Sequence, residues 1–358
     1  MRAVSNLELK RLIDEISVVN GSYLSKAFAI ANDIIKLRFR SGQLRYNLMI
    51  YLPYAVFLTD ADIREYTSNG FVNIIRDKLD NAYLESISQV GDDRVIELSF
   101  VKGDNRYKIY IELFGKGNII LKTDDAVYRY KDNVKEVQYK TEKIEESKIL
   151  EVYNKDDSII RSLMEIRSIG SIYIEDLLLR ERINPKEKVK SISIDLFKKL
   201  IDDIDKDAES RLKDKAYLYS IDGNDKDFSL GLIEKYKSYS YQLFDSLNSL
   251  IELLYLEKIY SLIESIKTSS INEKAESYIK SIEKQRSYLE ALNKEIDDYR
   301  RAGAIIMNRM YMLNQVIDIV KRNEREELSK LKELLKDYNI ELININKKDK
   351  YIEIDIDD

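Results

Sequence analysis

The chain of 358 residues has no cysteine and no histidine. The first absence excludes disulfides and thiol nucleophiles. The two together exclude Cys/His zinc sites, imidazole bases and Ser-His-Asp chemistry. Carboxylates, lysine and tyrosine are the acid–base groups left. Proline is limited to Pro53 and Pro185. No apolar run reaches the ~18 residues of a membrane span. The opening MRAVSNLELK lacks the apolar core of a signal peptide, so a cytoplasmic location is the default expectation. Positive charge is not in excess either: 59 basic residues face 64 acidic ones, a net charge of -5. That balance argues against a globally basic nucleic-acid sleeve. It leaves room for a local basic patch, because binding depends on where charges sit. Charged residues make up 34% of the chain, a composition compatible with a thermophile. The length suggests two or three domains.

Hydrophobic periodicity divides the chain. Residues 1–135 read as a mixed α+β unit with many antiparallel strands. Leu7, Leu12, Ile13 and Ile16 form the apolar stripe of a first helix, with Ser5 or Asn6 as N-cap. Strands are expected around Ser22–Ala29, Ile34–Phe39, Tyr46–Leu52 and Val56–Leu58, and a second helix over Gly70–Leu79. From Gln89 to Asp124 the pattern is a three-stranded meander. Ile96, Leu98 and Phe100 alternate with Val95, Glu97 and Ser99, and Tyr107, Ile109, Ile111 and Leu113 alternate with Lys108, Tyr110 and Glu112. Gly103-Asp104-Asn105 and Gly115-Lys116-Gly117 supply its turns.

Residues 136–157 are charged and irregular and read as a connector. Residues 158–210 change to a helical period: Ile159, Leu163, Ile166 and Ile169 lead to Gly170, then Ile172, Ile174, Leu177 and Leu178 follow. Asn184-Pro185 breaks the chain before a further helix over Ile192–Ile204. Residues 211–260 hold Ala216–Ile221, Asp227-Phe228-Ser229 and Phe244–Leu254, with part of the stretch expected to pack back on the first unit. Residues 261–325 read as a coiled-coil helix. One seam is Ile282, Leu289, Ile296, Gly303, Met310 and Ile317; the other is Gln285, Leu292, Tyr299, Ile306, Leu313 and Val320. This stripe needs a partner, and self-association is one way to supply it. Residues 326–358 read as a short helix, Leu328–Leu335, and two alternating strands, Ile340–Ile345 and Tyr351–Ile356.

Polar clusters interrupt the meander. Asp92, Asp93 and Arg94 stand where its first strand begins, and Glu112 and Asn118 flank its second turn. An arginine there can clamp a phosphate through parallel hydrogen bonds, and the neighbouring carboxylate can orient it or accept from a ribose. On spacing alone the pair also reads as a surface ion pair opening a strand. Glu8, Arg11 and Glu15 lie within a turn of one another, either a solvated face or part of a ligand surface. Arg38, Arg40 and Arg45 gather around Ser41-Gly42 with Lys36 nearby, which fits either phosphate contacts or a charged hairpin end. Glu112 and Asn118 read as structural.

The order and spacing of these fragments over roughly 130 residues resemble the NFACT family, the Rqc-H and NEMF proteins of ribosome quality control, whose bacterial members were once named fibronectin-binding proteins. The resemblance rests on Gln89, Asp93-Arg94 with the apolar strand after it, Glu112-Leu113, and Gly117-Asn118 with Leu121. Upstream it takes in Ser5-Asn6-Leu7-Glu8-Leu9 with Glu15, Asn20-Gly21-Ser22 with Leu24, and Phe71-Val72 with Arg76 and Leu79. Glu8 replaces a common Asp, Asp77 replaces a lysine, and Ser171-Ile172 stands where members often have a second glycine. The resemblance implies a formamidopyrimidine-glycosylase-like first domain, a helix-hairpin-helix module, and a long coiled-coil helix ending in the start of a small tip domain. It implies that Asp93-Arg94 recognises tRNA, with Glu8, Arg11, Arg38, Arg40 and Arg76 on the same surface. The implied partners are tRNA, with alanyl-tRNA a candidate, and a large ribosomal subunit still holding peptidyl-tRNA. The implied role is template-free tailing of the stalled chain. No cofactor, metal or catalytic residue is expected, since the ribosome supplies peptidyl transfer. Arg2 stands where the glycosylases need an N-terminal proline or equivalent amine. A DNA-binding or repair protein of the same fold and a coiled-coil adhesin are the alternatives.

Overall fold

The computed structural model describes residues 2–63, 69–132, 145–221, 225–322, 330, 331, 333, 335–338, 340–346 and 351–356. Two compact units result, 1–266 and 267–358.

The first unit is built on an antiparallel sheet. Helix α1 (Asn6–Ile16) precedes four strands in sequence, β1 (Tyr23–Ala31), β2 (Ile34–Ser41), β3 (Leu44–Tyr51) and β4 (Ala55–Thr59). Helix α2 (Gly70–Leu79) leads to β5 (Tyr83–Gln89), β6 (Val95–Lys102), β7 (Asn105–Glu112), β8 (Asn118–Lys122) and β9 (Val127–Arg129). The strands lie in the order β4-β3-β2-β1-β5-β6-β7-β8-β9. The α+β class, the helix over Gly70–Leu79 and the meander are as the sequence predicts. β1 and β5 pair about Tyr23 and Tyr83, with Leu84 bonded to Gly21 and Ser22 on one side and Leu24 to Asn81 and Ala82 on the other, and α2 packs against β1.

Helix α1 forms because Ser5 caps it: its hydroxyl accepts from the Glu8 amide while the Glu8 carboxylate accepts from the Ser5 amide. Leu7, Leu9, Leu12, Ile13 and Ile16 are buried in one core with the sheet, each such side chain contributing about 1.5–3 kcal/mol. That core also takes Leu218, Tyr219, Phe228 and Leu230 from a three-stranded sheet, β10 (Ala216–Ile221), β11 (Asp225–Leu230) and β12 (Ser240–Phe244). It further takes Leu250, Ile251, Leu254 and Tyr255 from the root of a long helix.

A second core, formed by Ile159, Leu163, Ile174, Leu178, Phe197 and Leu200 among others, holds α3 (Glu146–Asn154), α4 (Ile159–Ile166), α5 (Ser171–Arg180) and α6 (Ile194–Arg211). The expected connector 136–157 is helical over Glu146–Asn154. Its first part lies outside the described residues, and its second part is α3, whose Val152 is buried in this core.

The long helix α7 (Leu247–Asn308) starts earlier than the heptad pattern suggests and takes in most of the segment Phe244–Leu254. It is interrupted at Arg309 before α8 (Met310–Arg322). In the second unit Met312, Val316 and Val320 pack with Leu331, Leu335 and Ile340 beside a hairpin, β13 (Ile340–Asn346) and β14 (Tyr351–Ile356). Half of the helix expected at Leu328–Leu335 lies outside the described residues, and the described half is helical. Among the described residues no helix is long and apolar enough to cross a membrane.

Candidate nucleic-acid interface

The site begins with the N-cap of α1. Glu8 lies neither on a solvated face nor on an open ligand surface, the two readings its spacing allows; it is fully buried. It receives both terminal nitrogens of Arg2, one at 2.7 Å, the Ser5 amide at 2.7 Å and the Tyr173 hydroxyl at 2.6 Å. Arg2 also donates to Asp227 Oδ1 at 3.0 Å and to the carbonyls of Ala3 and Phe228. All five guanidinium hydrogens therefore have acceptors. Its plane lies 4.3 Å from the centre of the Phe228 ring. Burial works to lower the Arg2 pKa, but the Glu8 carboxylate and its hydrogen bonds hold it above the ordinary arginine value. Tyr173, which accepts from the Leu230 amide at 2.9 Å, is pushed well up by its burial and then by Glu8.

Asp93 and Arg94 lie just beyond, in the turn that joins β5 to β6. The Gln89 amide donates to the Asp93 carbonyl at 2.9 Å, and the Leu113 amide donates to the Arg94 carbonyl at 2.8 Å. The backbone is thus held from both sides while the side chains remain at the surface. The Arg94 guanidinium is half-buried. Its one hydrogen bond among the described residues is a 3.5 Å contact with the Val4 carbonyl. Its pKa is lowered, first by desolvation and then by the charge of Arg2. An arginine in that state gains from any anion that reaches it. It faces a cleft of about 440 Å³ lined also by Asn6, Asp93, Met164, Gly170 and Ser171.

The far wall of the cleft is the start of α5. No side chain caps this helix, and Gly170, Ser171 and Ile172 line the cleft. Gly170 there has φ 116°, and a Cβ on it would lie 2.7 Å from the Ser5 Cβ. Only glycine lets the two helix N-termini approach this closely.

The other expected residues lie elsewhere. Arg11 donates to Glu15 at 2.7 Å and to the carbonyls of Leu212 and Asp245. Lys36 is buried, with its ammonium on the Ile63 carbonyl at 2.6 Å, so it does not extend the arginine row as its strand spacing suggests. Arg38 is half-buried and Arg40 and Arg76 are exposed. Lys36, Arg38 and Arg76 surround the Phe28 ring at 4.9, 5.3 and 5.9 Å. Asn118 is buried and pins Lys131 through the backbone amide at 2.9 Å, the structural role read from its turn. Nothing in the sequence marks Arg2, Tyr173 and Asp227 as site residues. Arg2 and Asp227 are 225 positions apart, and no local pattern links them.

Residues 5–138 match the family model described as NFACT N-terminal and middle domains. The chain is 24% identical over 382 residues to an archaeal Rqc2 homolog, aRqcH, of Methanocaldococcus jannaschii, covering 93% of this chain and 54% of that protein. Over 53 residues it is 40% identical to a ribosome quality control complex subunit NEMF homolog of Drosophila melanogaster, 15% of this chain and 5% of that one. The chain thus spans about half the length of the archaeal relative and far less of the fly one. Among solved structures it is similar to the fibrinogen binding protein from Staphylococcus aureus. The TM-score is 0.57 at 18% identity, over 70% of this chain and 98% of that one. A second is the N-terminal part of the fibronectin/fibrinogen-binding protein from Streptococcus suis, with a TM-score of 0.51 at 18% identity, over 71% and 99% of the two chains. These two likenesses concern the fold.

Proposed function

We propose a function from this premise: the chain belongs to the NFACT family. It acts in ribosome-associated quality control, holding a tRNA on a large ribosomal subunit obstructed by peptidyl-tRNA and so promoting template-free extension of the stalled chain. Support for the general role comes from relatives that carry ribosome quality control in their names. The observation that carries the tRNA part is Arg94: a half-buried guanidinium with one long hydrogen bond, facing an open cleft.

A backbone phosphate seated there meets a bidentate donor on one side and the start of α5 on the other. Asp93 stands beside it to accept from a ribose hydroxyl. Glu8 holds Arg2 and the N-cap in place beneath the cleft instead of touching the ligand. Arg2, with all its donors committed, adds positive potential without a direct contact. The protein positions; the ribosome performs peptidyl transfer.

The test is Asp93→Ala with Arg94→Ala, comparing melting temperature, tRNA affinity over a salt series, and co-sedimentation with large subunits. Both side chains are half-buried and Arg94 makes one long hydrogen bond among the described residues, so stability should fall by about 1 kcal/mol. tRNA affinity should fall strongly, and the slope of log K against log salt should lose about 0.9 for the lost phosphate contact. Subunit co-sedimentation should survive. Wild-type tRNA affinity in a normally melting variant overturns the reading, as does tighter binding of duplex DNA than of tRNA.

A further inference from the structure

The register of the large sheet places a second group of residues in line, away from the cleft. Tyr83 lies opposite Tyr23, Tyr23 opposite Arg40, and Arg40 opposite Arg45. One row on one face of the sheet thus reads Tyr83, Tyr23, Arg40, Arg45 across β5, β1, β2 and β3. The next row is Lys26, Arg38, Asn47 and Thr59, set by the pairs Lys26–Arg38, Arg38–Asn47 and Asn47–Thr59. A bulge between Leu24 and Lys26 keeps Tyr23 and Lys26 on the same face.

Like charges directly opposite each other in a sheet are destabilising. Here they occur twice, at Lys26–Arg38 and Arg40–Arg45, in a chain with an acidic surplus. Among the described residues none of these four cations has a carboxylate partner. Arg38 is braced by Asn47 Oδ1 at 3.0 Å, and Asn47 by the Thr59 carbonyl at 3.2 Å. The aromatic end of the row is open as well. Tyr23 and Tyr83 are 44% and 38% exposed, with ring centres 5.4 Å apart at 63°. Exposed rings beside uncompensated cations match the alternation of base and phosphate in an unpaired nucleic-acid strand. An acidic peptide or a lipid surface gives the two rings no such role.

We propose that this face is a second RNA contact. It takes a single-stranded segment, with phosphates on Lys26, Arg38, Arg40 and Arg45 and a base against Tyr23 or Tyr83. The proposal rests on the reading of the chain as an RNA-holding factor and adds a site to it. Strand β5 separates the two: Tyr83 is at its start and Arg94 lies past its end, roughly 20 Å away at the usual strand rise. One folded RNA can span both.

The test uses a labelled oligouridylate and, in parallel, tRNA, each titrated over a salt series with the full chain. Arg40→Ala with Arg45→Ala should lower the oligouridylate salt slope by about 1.4, at roughly 0.7 per phosphate on a single strand. Tyr23→Leu with Tyr83→Leu should weaken binding about tenfold while keeping the slope. Tyr23, Tyr83, Arg40 and Arg45 are exposed, and melting curves check that the variants fold. Unchanged affinity and slope in the double-arginine variant overturns the proposal, and so does binding of phosphatidylserine vesicles without oligouridylate binding. If Arg94→Ala leaves tRNA binding untouched while the sheet-face variants abolish it, the cleft reading fails and this one stands.

Discussion

Replacing Glu8 by alanine tests whether this carboxylate is a clasp or a ligand contact. The substitution removes both acceptors that Glu8 gives Arg2, the partner of the Ser5 amide, and the acceptor of the Tyr173 hydroxyl. Unpairing a buried charge costs about 3–5 kcal/mol. Arg2 keeps 28% of its side chain exposed, as well as its bond to Asp227, so the lower end of that range, about 3 kcal/mol, is expected. The loss of half a capping box falls within it, since contributions in one network do not add. Domains of this size lose roughly 2–4 °C per kcal/mol, giving a drop of roughly 6–12 °C. Glu8→Gln, which keeps one acceptor and the shape, should fall between wild type and alanine. The assay is thermal and urea unfolding followed by the tyrosine near-ultraviolet signal, with tRNA affinity measured well below the transition. A variant that melts within about 1 kcal/mol of wild type yet has lost tRNA refutes the reasoning; Glu8 would then contact the ligand directly.

Gly170→Ala should destabilise by about 2–3 kcal/mol, because the backbone angle and the Ser5 contact both oppose a side chain; a neutral melting temperature would contradict this. Burial, with Glu97 and Asp33 respectively, pushes Tyr110 and Tyr130 to about 12, and burial drives Tyr173 higher. Their folded values lie above the unfolded value near 10, so this stability is complete below about pH 10 and is lost as pH rises through about 12. Tyrosinate absorbance should therefore show a cooperative alkaline step coincident with unfolding, and a single smooth titration counts against it. Ile282, Leu289, Ile296 and Met310 are 51%, 57%, 45% and 46% exposed along the heptad seam. The chain should self-associate through them, and Met310→Asp should shift sedimentation toward monomer; a wild-type chain that is monomeric at every concentration rules this out.

The local elements were legible where periodicity was clean. The stripe of Leu7, Leu12, Ile13 and Ile16 announces a helix, and the alternation of Val95 to Phe100 announces a strand. β5 was not, and the bulge between Leu84 and Ser86 explains why. It puts Leu84 and Ile87 on the core three positions apart, a helical interval in a strand. The three residues of β9 are too few to show a period. For the site, the chain order of Asp93-Arg94 and the strand after it carried the inference. The burial of Glu8 and Lys36 could not be read, because it depends on acceptors and donors brought from remote segments. Charged side chains look solvated in a sequence until their partners are known.

Helix α1 is fixed at both ends, and this gives it a mechanical character. At one end Ser5 sits against Gly170 and the cleft. At the other, Glu15 accepts from the amides of Leu247 and Asn248 at 3.0 and 2.8 Å and from the Ser246 hydroxyl, so the root of α7 is tied to it. Asn248 also brackets the backbone of Leu58 at 2.7 and 3.0 Å, joining the same root to β4. Over its 11 residues α1 is a stiff strut about 16 Å long. The root of α7 and the Gly170 wall of the cleft are thus held against opposite ends of one short helix.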